Sequence, residues 1–321
     1  MNPYWDCDFF SFIVVFFSRA LAFLTGNLSF DKIASDELQI IALVCIALSA
    51  AMIGPFLVLK KMTMFANALS HTSLLGIALS FILLSGIGVF KTPLFILAAL
   101  LTALVTGGFT ETLKKVFKVH DEASTGLVFT FLFALGVICV TVFLKNAHLG
   151  IEAIMGNIDA IHESDITLSA LLAFINGGLL VLFFPYYKIY AFDEILARSQ
   201  SCFPSFFSKL LILQTAFTTI SAFRAVGVFL FLIFLTAPVL AAKLMSYRLK
   251  HIIFLSAAFS VCSALIGVAL SRHFLTQYGI ALSTGALSAT CVALCYPLIY
   301  CCHSIKNYLI HHQLKKPPSS L

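Results

Sequence analysis

Apolar residues run along this chain in blocks of roughly 18 or more, separated by short polar stretches, and that spacing sets the architecture. The runs fall near 9–25, 38–59, 68–88, 93–110, 124–144, 167–187, 207–223, 226–242, 252–271 and 279–302. About 20 apolar residues cross the hydrocarbon core as a helix. Backbone groups in lipid must be paired within their own segment, and no run shows the alternating pattern of barrel strands, so helices are predicted throughout. The fold class is all-α, a polytopic transmembrane helical protein with nine or ten spanning helices. The run 207–223, with Lys209 and several threonines, is the least apolar and passes almost directly into 226–242. Those two are expected as a tight hairpin or as partly broken helices.

Composition agrees: 60% apolar residues, 33 Phe and only 11% charged residues exclude a soluble domain. Charge then orients the chain. If the N-terminus is cytoplasmic and all ten runs cross, fourteen basic residues lie inside: Lys60, Lys61, Lys114, Lys115, Lys118, Lys188, Arg198, Lys209, Lys243, Arg248, Lys250, Lys306, Lys315 and Lys316. Five lie outside: Lys32, Lys91, Lys145, Arg224 and Arg272. That bias follows the positive-inside rule and puts both termini in the cytoplasm. The net charge of +6 is thus a topology signal rather than a nucleic-acid surface. The opening MNPYWDCDFF has no basic residue before its apolar run, so a cleaved signal peptide is not expected, despite Ala20-Leu21-Ala22. Nine cysteines, mostly inside runs and without a CxxC pair, read as buried free thiols.

No G-x-x-x-x-G-K-[ST] loop, H-E-x-x-H pair, nucleophile elbow or dinucleotide fingerprint is present, so the chain carries no enzyme motif of its own. The informative stretch is KKMTMFANALSHTSLLGIALS, from Lys60 to Ser80. Asn67 and His71 are four residues apart and share a helix face. A polar pair inside a span is costly unless it faces protein or a water-filled path. It suits a divalent metal ion, with imidazole and a hard amide oxygen as donors. It equally suits a hydrogen bond between helices, shared with Ser70 and Thr72. The loop 145–165 is the richest polar stretch on the outside face, and His148, Asp159 and His162 fit either cation collection or an ordinary solvated loop.

The same stretch resembles the signature of the permease subunits of metal-ion ABC transporters, which import zinc, manganese or iron. The family pattern is a basic pair, a Met, Asp-x-x-x-His and Leu-x-Gly. Here these are Lys60, Lys61, Met62, His71 and Gly76, with Asn67 at the aspartate position. AFDEILARSQS resembles the family segment that docks on the ATPase, through Phe192, Asp193, Ala197 and the neighbouring Arg198. FRAVGVFLFLIFLTAPVLAAKL matches a third segment, through Gly227 and Pro238, whose small residue and proline suit gating or close packing. The resemblance implies a domain plan of an added N-terminal helix and outside loop at 1–37, a permease domain at 38–303 and a basic cytoplasmic tail at 304–321.

It also implies the partners: ATP-binding cassette ATPase subunits inside, a metal-binding protein outside, and a second permease subunit, a copy or a sister chain. The place would be the cytoplasmic (inner) membrane of a bacterium. The cargo would be a divalent metal ion moved by alternating access past His71 and Asn67, with no permanently bound cofactor and no nucleic acid. The rival functions are a permease for a corrinoid or iron-siderophore and an ATP-independent metal carrier.

Overall fold

Each predicted run lies largely in a helix of the computed structural model, which describes residues 3–5, 7–25, 33–85, 92–143, 156–200 and 203–314. The helices are α1 (Phe9–Leu24), α2 (Ser35–Leu59), α3 (Thr63–Ser85), α4 (Thr92–Val116), α5 (Asp121–Phe143) and α6 (Glu163–Phe192). Then come α7 (Glu194–Ser199), α8 (Pro204–Val226), α9 (Val228–Met245), α10 (Leu249–Tyr278) and α11 (Thr284–Leu314). A 3-10 turn, Ile158–Ala160, precedes α6. Among the described residues there is no strand. Among the described residues eight helices, namely α2, α3, α5, α6 and α8 to α11, are long and apolar enough to cross a membrane.

α2 is the axis of the larger helix group. Ala42, Ala47, Ala50, Ala51 and Gly54 are buried along it, and small side chains let α6, α9 and α10 pack closely around it. Phe56, Phe231, Phe234 and Leu235 fill the space between these helices. α3 is the middle of a second group, flanked by α4 and α5. α8 joins the two: it touches α2, α6, α3 and α4, and its Ala216 and Ile220 pack with Phe65, Leu69, Ala99 and Ala103.

α8 is one continuous helix, and the partly broken reading does not hold. The hydroxyls of Thr215 and Thr218 donate to the carbonyls of Leu211 and Gln214, each at 2.7 Å, so polar residues are satisfied without opening the helix. Gly227 alone separates α8 from α9. Its φ of 87° is a conformation that a side chain would strain, which explains a glycine there.

Ion pairs and backbone bonds sort the helix ends. Arg272 pairs with Asp36, Arg224 with Asp165 at 2.8 Å, and the Gly156 amide donates to the Phe223 carbonyl at 3.2 Å. One end of the bundle therefore holds the start of α2, the 3-10 turn, the α8–α9 joint and the end of α10. The opposite end carries Lys60 over the Tyr190 ring at 4.0 Å and Lys250 over Phe184 at 5.4 Å. From α2 onward the nine long helices alternate between these ends, as the hydropathy pattern requires.

α1 departs from the expectation. The Tyr4 hydroxyl donates to Glu37 Oε1 at 2.7 Å, and Arg19 Nε donates to that same oxygen at 2.5 Å. Gln277 bonds to Asp8, and the Thr276 hydroxyl donates to the Trp5 carbonyl at 3.4 Å. Both the start and the middle of α1 therefore sit at the end where α2 begins and α10 finishes. A crossing α1 would put residues 3–8 at the opposite end, so a cytoplasmic N-terminus followed by a first crossing is corrected. The reason is physical. Sixteen residues give a helix of about 24 Å, short of the ~30 Å hydrocarbon core, and Glu37 draws Arg19 and Tyr4 to the head of α2. Burial, and after it the Glu37 hydrogen bond, raises the Tyr4 pKa, which keeps the phenol a donor.

Candidate functional site

α3 carries the central pair, and its neighbours fix where the pair points. A Cβ on Gly76 would lie 2.5 Å from the Ala98 carbonyl oxygen and 2.5 Å from Thr102 Oγ1, so α3 and α4 touch backbone to backbone there. On the other side, a Cβ on Gly136 of α5 would come 3.1 Å from the Leu75 amide. The Thr106 hydroxyl donates to Thr72 Oγ1 at 2.9 Å, tying α4 to α3 one turn nearer the basic end. Ser70, Thr72 and Ser73 are buried, with their hydroxyls bonded to carbonyls of α3 itself.

Asn67 and His71 are both half-buried on this helix. His71 is eight residues from the start of α3, about 12 Å along the axis from the basic end. Its ring packs against Phe129 and Phe133 of α5, with centroids at 5.5 and 5.4 Å, and those two rings stack on each other. Neither the Asn67 amide nor the His71 imidazole takes a hydrogen bond from the described residues. Helix-to-helix bonding in this region is made by Thr72 and Thr106 instead. The described residues hold no group of three or more His, Cys, Asp or Glu able to surround an ion. Two donors with unused capacity, walled by apolar rings, can offer a passing cation part of a coordination shell.

The second predicted segment forms α7 at the basic end. Asp193 is its N-cap: Oδ1 accepts from the Ile195 amide at 2.8 Å and the Leu196 amide at 3.1 Å. That oxygen holds the start of the helix, and Asp193 itself stays exposed. Ala197 is fully buried, α7 leans on α6 and α8, and Phe192, Ile195 and Arg198 are exposed.

His148 lies outside the described residues. Asp159 Oδ2 accepts from the Thr284 amide at 3.3 Å, and His162 is exposed at the start of α6. Pro238 is buried within α9, which continues past it.

One polar feature was missed from the sequence. The Asn176 amide donates to Thr218 Oγ1 at 2.8 Å, and the Tyr187 hydroxyl donates to Gln214 Oε1 at 2.5 Å, forming two rungs between α6 and α8. They border a cavity of about 10 Å³ with Met52, Ile53 and Phe56, room for about one water. Single polar residues inside apolar runs, as in LAFINGGLL and LLILQTAF, were the available signal.

Comparison with known proteins adds the following. Residues 37–303 match the profile of the ABC 3 transport family. A probable metal transport system membrane protein of Chlamydia muridarum is 38% identical over 296 residues, 92% of this chain and 92% of that protein. A manganese transport system membrane protein of Bacillus subtilis is 33% identical, covering 82% of this chain and 90% of that one. A probable iron transport system membrane protein of Haemophilus influenzae is 28% identical, covering 81% and 91%. Among solved structures, PsaBC from Streptococcus pneumoniae in complex with Fab aligns with a TM-score of 0.69 at 24% identity, over 84% of this chain and 92% of that one.

Proposed function

The chain belongs to the ABC 3 transport family, and from that premise we propose that it is the membrane-crossing permease of an importer for a divalent transition-metal ion. The carrying observation is the match over residues 37–303, which takes in every long helix from α2 to α11. The names of the relatives favour manganese or iron; zinc has no such support and is the third choice. The domain plan follows: α1 and the loop after it, a permease body, and a short basic tail.

In this reading the ion passes His71 and Asn67 as the permease alternates between outward- and inward-open states. A ligand or partner can shift such an equilibrium only by interacting differently with the two states. The chain has no nucleotide motif, so a separate ATP-binding cassette subunit supplies that difference through α7. The exposed Phe192, Ile195 and Arg198 are the contact surface, and Asp193 and Ala197 hold it in place. A second permease subunit, a copy or a sister chain bearing the carboxylate that Asn67 lacks, completes the coordination shell. A metal-binding protein hands the ion to the end that holds Asp159 and His162. The basic end faces the cytoplasm of a bacterial inner membrane, and Gly76, Gly227 and Pro238 set the packing about which the helices shift.

Uptake into proteoliposomes containing this chain and its ATPase, with radiolabelled manganese, iron and zinc in parallel, tests the reading. ATP-dependent uptake of manganese or iron is expected. Uptake without ATP would favour a carrier, and loss of all metal uptake with every component present would favour a metal chelate as cargo.

A further inference from the structure

α1 lies ahead of the family match, which begins at residue 37, and the transport reading gives it no task. Its side chains divide into three faces at about 100° per residue. Phe12 is buried, and Phe9, Ile13 and Phe16 pack into the main core, with Arg19 on Glu37 beside them. A second stripe, Phe10, Val14, Phe17 and Leu21, is 79%, 68%, 56% and 62% exposed and wholly apolar. A third, narrower stripe is polar: Ser11 and Ser18, two turns apart and exposed. The serine and apolar stripes are separated by roughly a quarter turn.

A helix crossing a bilayer meets hydrocarbon on every side that faces away from the protein. A helix lying in the interface meets water on one side and acyl chains on another. α1 has the second arrangement, and its placement agrees: it lies over the end of the bundle, with Tyr4 and Arg19 sharing one oxygen of Glu37. Trp5, 73% exposed, is held by Thr276 close to Tyr278, the last and exposed residue of α10. Trp and Tyr gather at the boundary between hydrocarbon and water. Leu275, near the end of α10 that α1 touches, is also exposed.

We propose that α1 is an interfacial helix. It lies flat in the leaflet where α2 begins, takes lipid acyl chains on Phe10, Val14, Phe17 and Leu21, and clamps the ends of α2 and α10 through Glu37 and Gln277. That this leaflet is the extracytoplasmic one rests on the orientation given above; the rest does not.

The test uses the full chain, freed of native cysteines and reconstituted in vesicles, with single cysteines introduced at exposed positions. Pro3→Cys and Ser283→Cys are expected to react with a membrane-impermeant maleimide from the same side of the membrane. Fluorophores on Phe10→Cys, Val14→Cys, Phe17→Cys and Leu21→Cys are expected to be quenched more by shallow than by deep spin-labelled lipid, in similar ratio at all four. Reaction from opposite sides, or deep-label quenching that peaks in mid-helix, would make α1 a crossing helix and overturn the proposal. Absence of quenching by either lipid would mean that protein covers the stripe, and would overturn it too. Reaction of both Pro3→Cys and Ser283→Cys from the cytoplasmic side would overturn only the assumed orientation.

Discussion

Gly76→Ala measures how tightly the central pair is positioned. The added Cβ would lie 2.5 Å from the Ala98 carbonyl oxygen and 2.9 Å from the Ala98 carbonyl carbon, about 1 Å inside a comfortable contact. Both neighbours are helix backbone, so relief requires α3 and α4 to move apart. Overpacking of this kind costs about 1–3 kcal/mol, and the better helix propensity of alanine returns about 1 kcal/mol. Gly108, on α4, has nothing within 4 Å of its would-be Cβ, so Gly108→Ala keeps only the propensity gain. The two variants should differ by about 1–3 kcal/mol, with Gly76→Ala the weaker; each kcal/mol corresponds to about 2–4 °C of melting temperature in a chain near this size. A thiol-reactive fluorophore, reporting heat exposure of half-buried Cys45, Cys139 and Cys291, reads the difference in detergent. Equal melting of the two variants would refute the backbone-to-backbone contact that orients α3.

Three further outcomes follow from the geometry. Asn67→Asp adds the carboxylate of the family pattern beside His71 and should lower the half-saturating metal concentration for uptake about tenfold, equivalent to ~1.4 kcal/mol; an unchanged or higher value would separate position 67 from the ion. Asp193→Asn keeps an oxygen for the Ile195 amide and should retain ATP-coupled uptake, whereas Asp193→Ala loses a cap of about 1 kcal/mol and should hydrolyse ATP with reduced transport; similar coupling in both would remove α7 from the coupling path. Arg272→Ala leaves Asp36, with its side chain 8% exposed, buried without that cation and should cost about 3–5 kcal/mol, much of it recovered by adding Asp36→Ala; a double variant as unstable as the single one would refute the pairing.

Much of the architecture was legible because lipid is a demanding solvent. Runs of about 20 apolar residues have few other uses, and Asn67 and His71 share a helix face by spacing alone. What was hidden depends on residues far apart in the chain. Composition does not separate an apolar helix that crosses from one that lies across the end of a bundle. α1 was misplaced because Glu37, the acceptor for Tyr4 and Arg19, becomes their neighbour only in the fold. The rungs Asn176–Thr218 and Tyr187–Gln214 join positions 42 and 27 residues apart. The capping bonds of Asp193, an exposed residue, could not be read because they depend on where α7 begins.

The central claim is that a metal ion, driven by a partner ATPase, passes His71. Its most direct test compares ATP-dependent manganese and iron uptake by wild-type and His71→Ala proteoliposomes containing equal amounts of assembled permease and ATPase. The account predicts that His71→Ala loses uptake while the complex still assembles and binds ATP. Uptake at the wild-type rate would contradict it, and the ion's path would then lie elsewhere in the bundle.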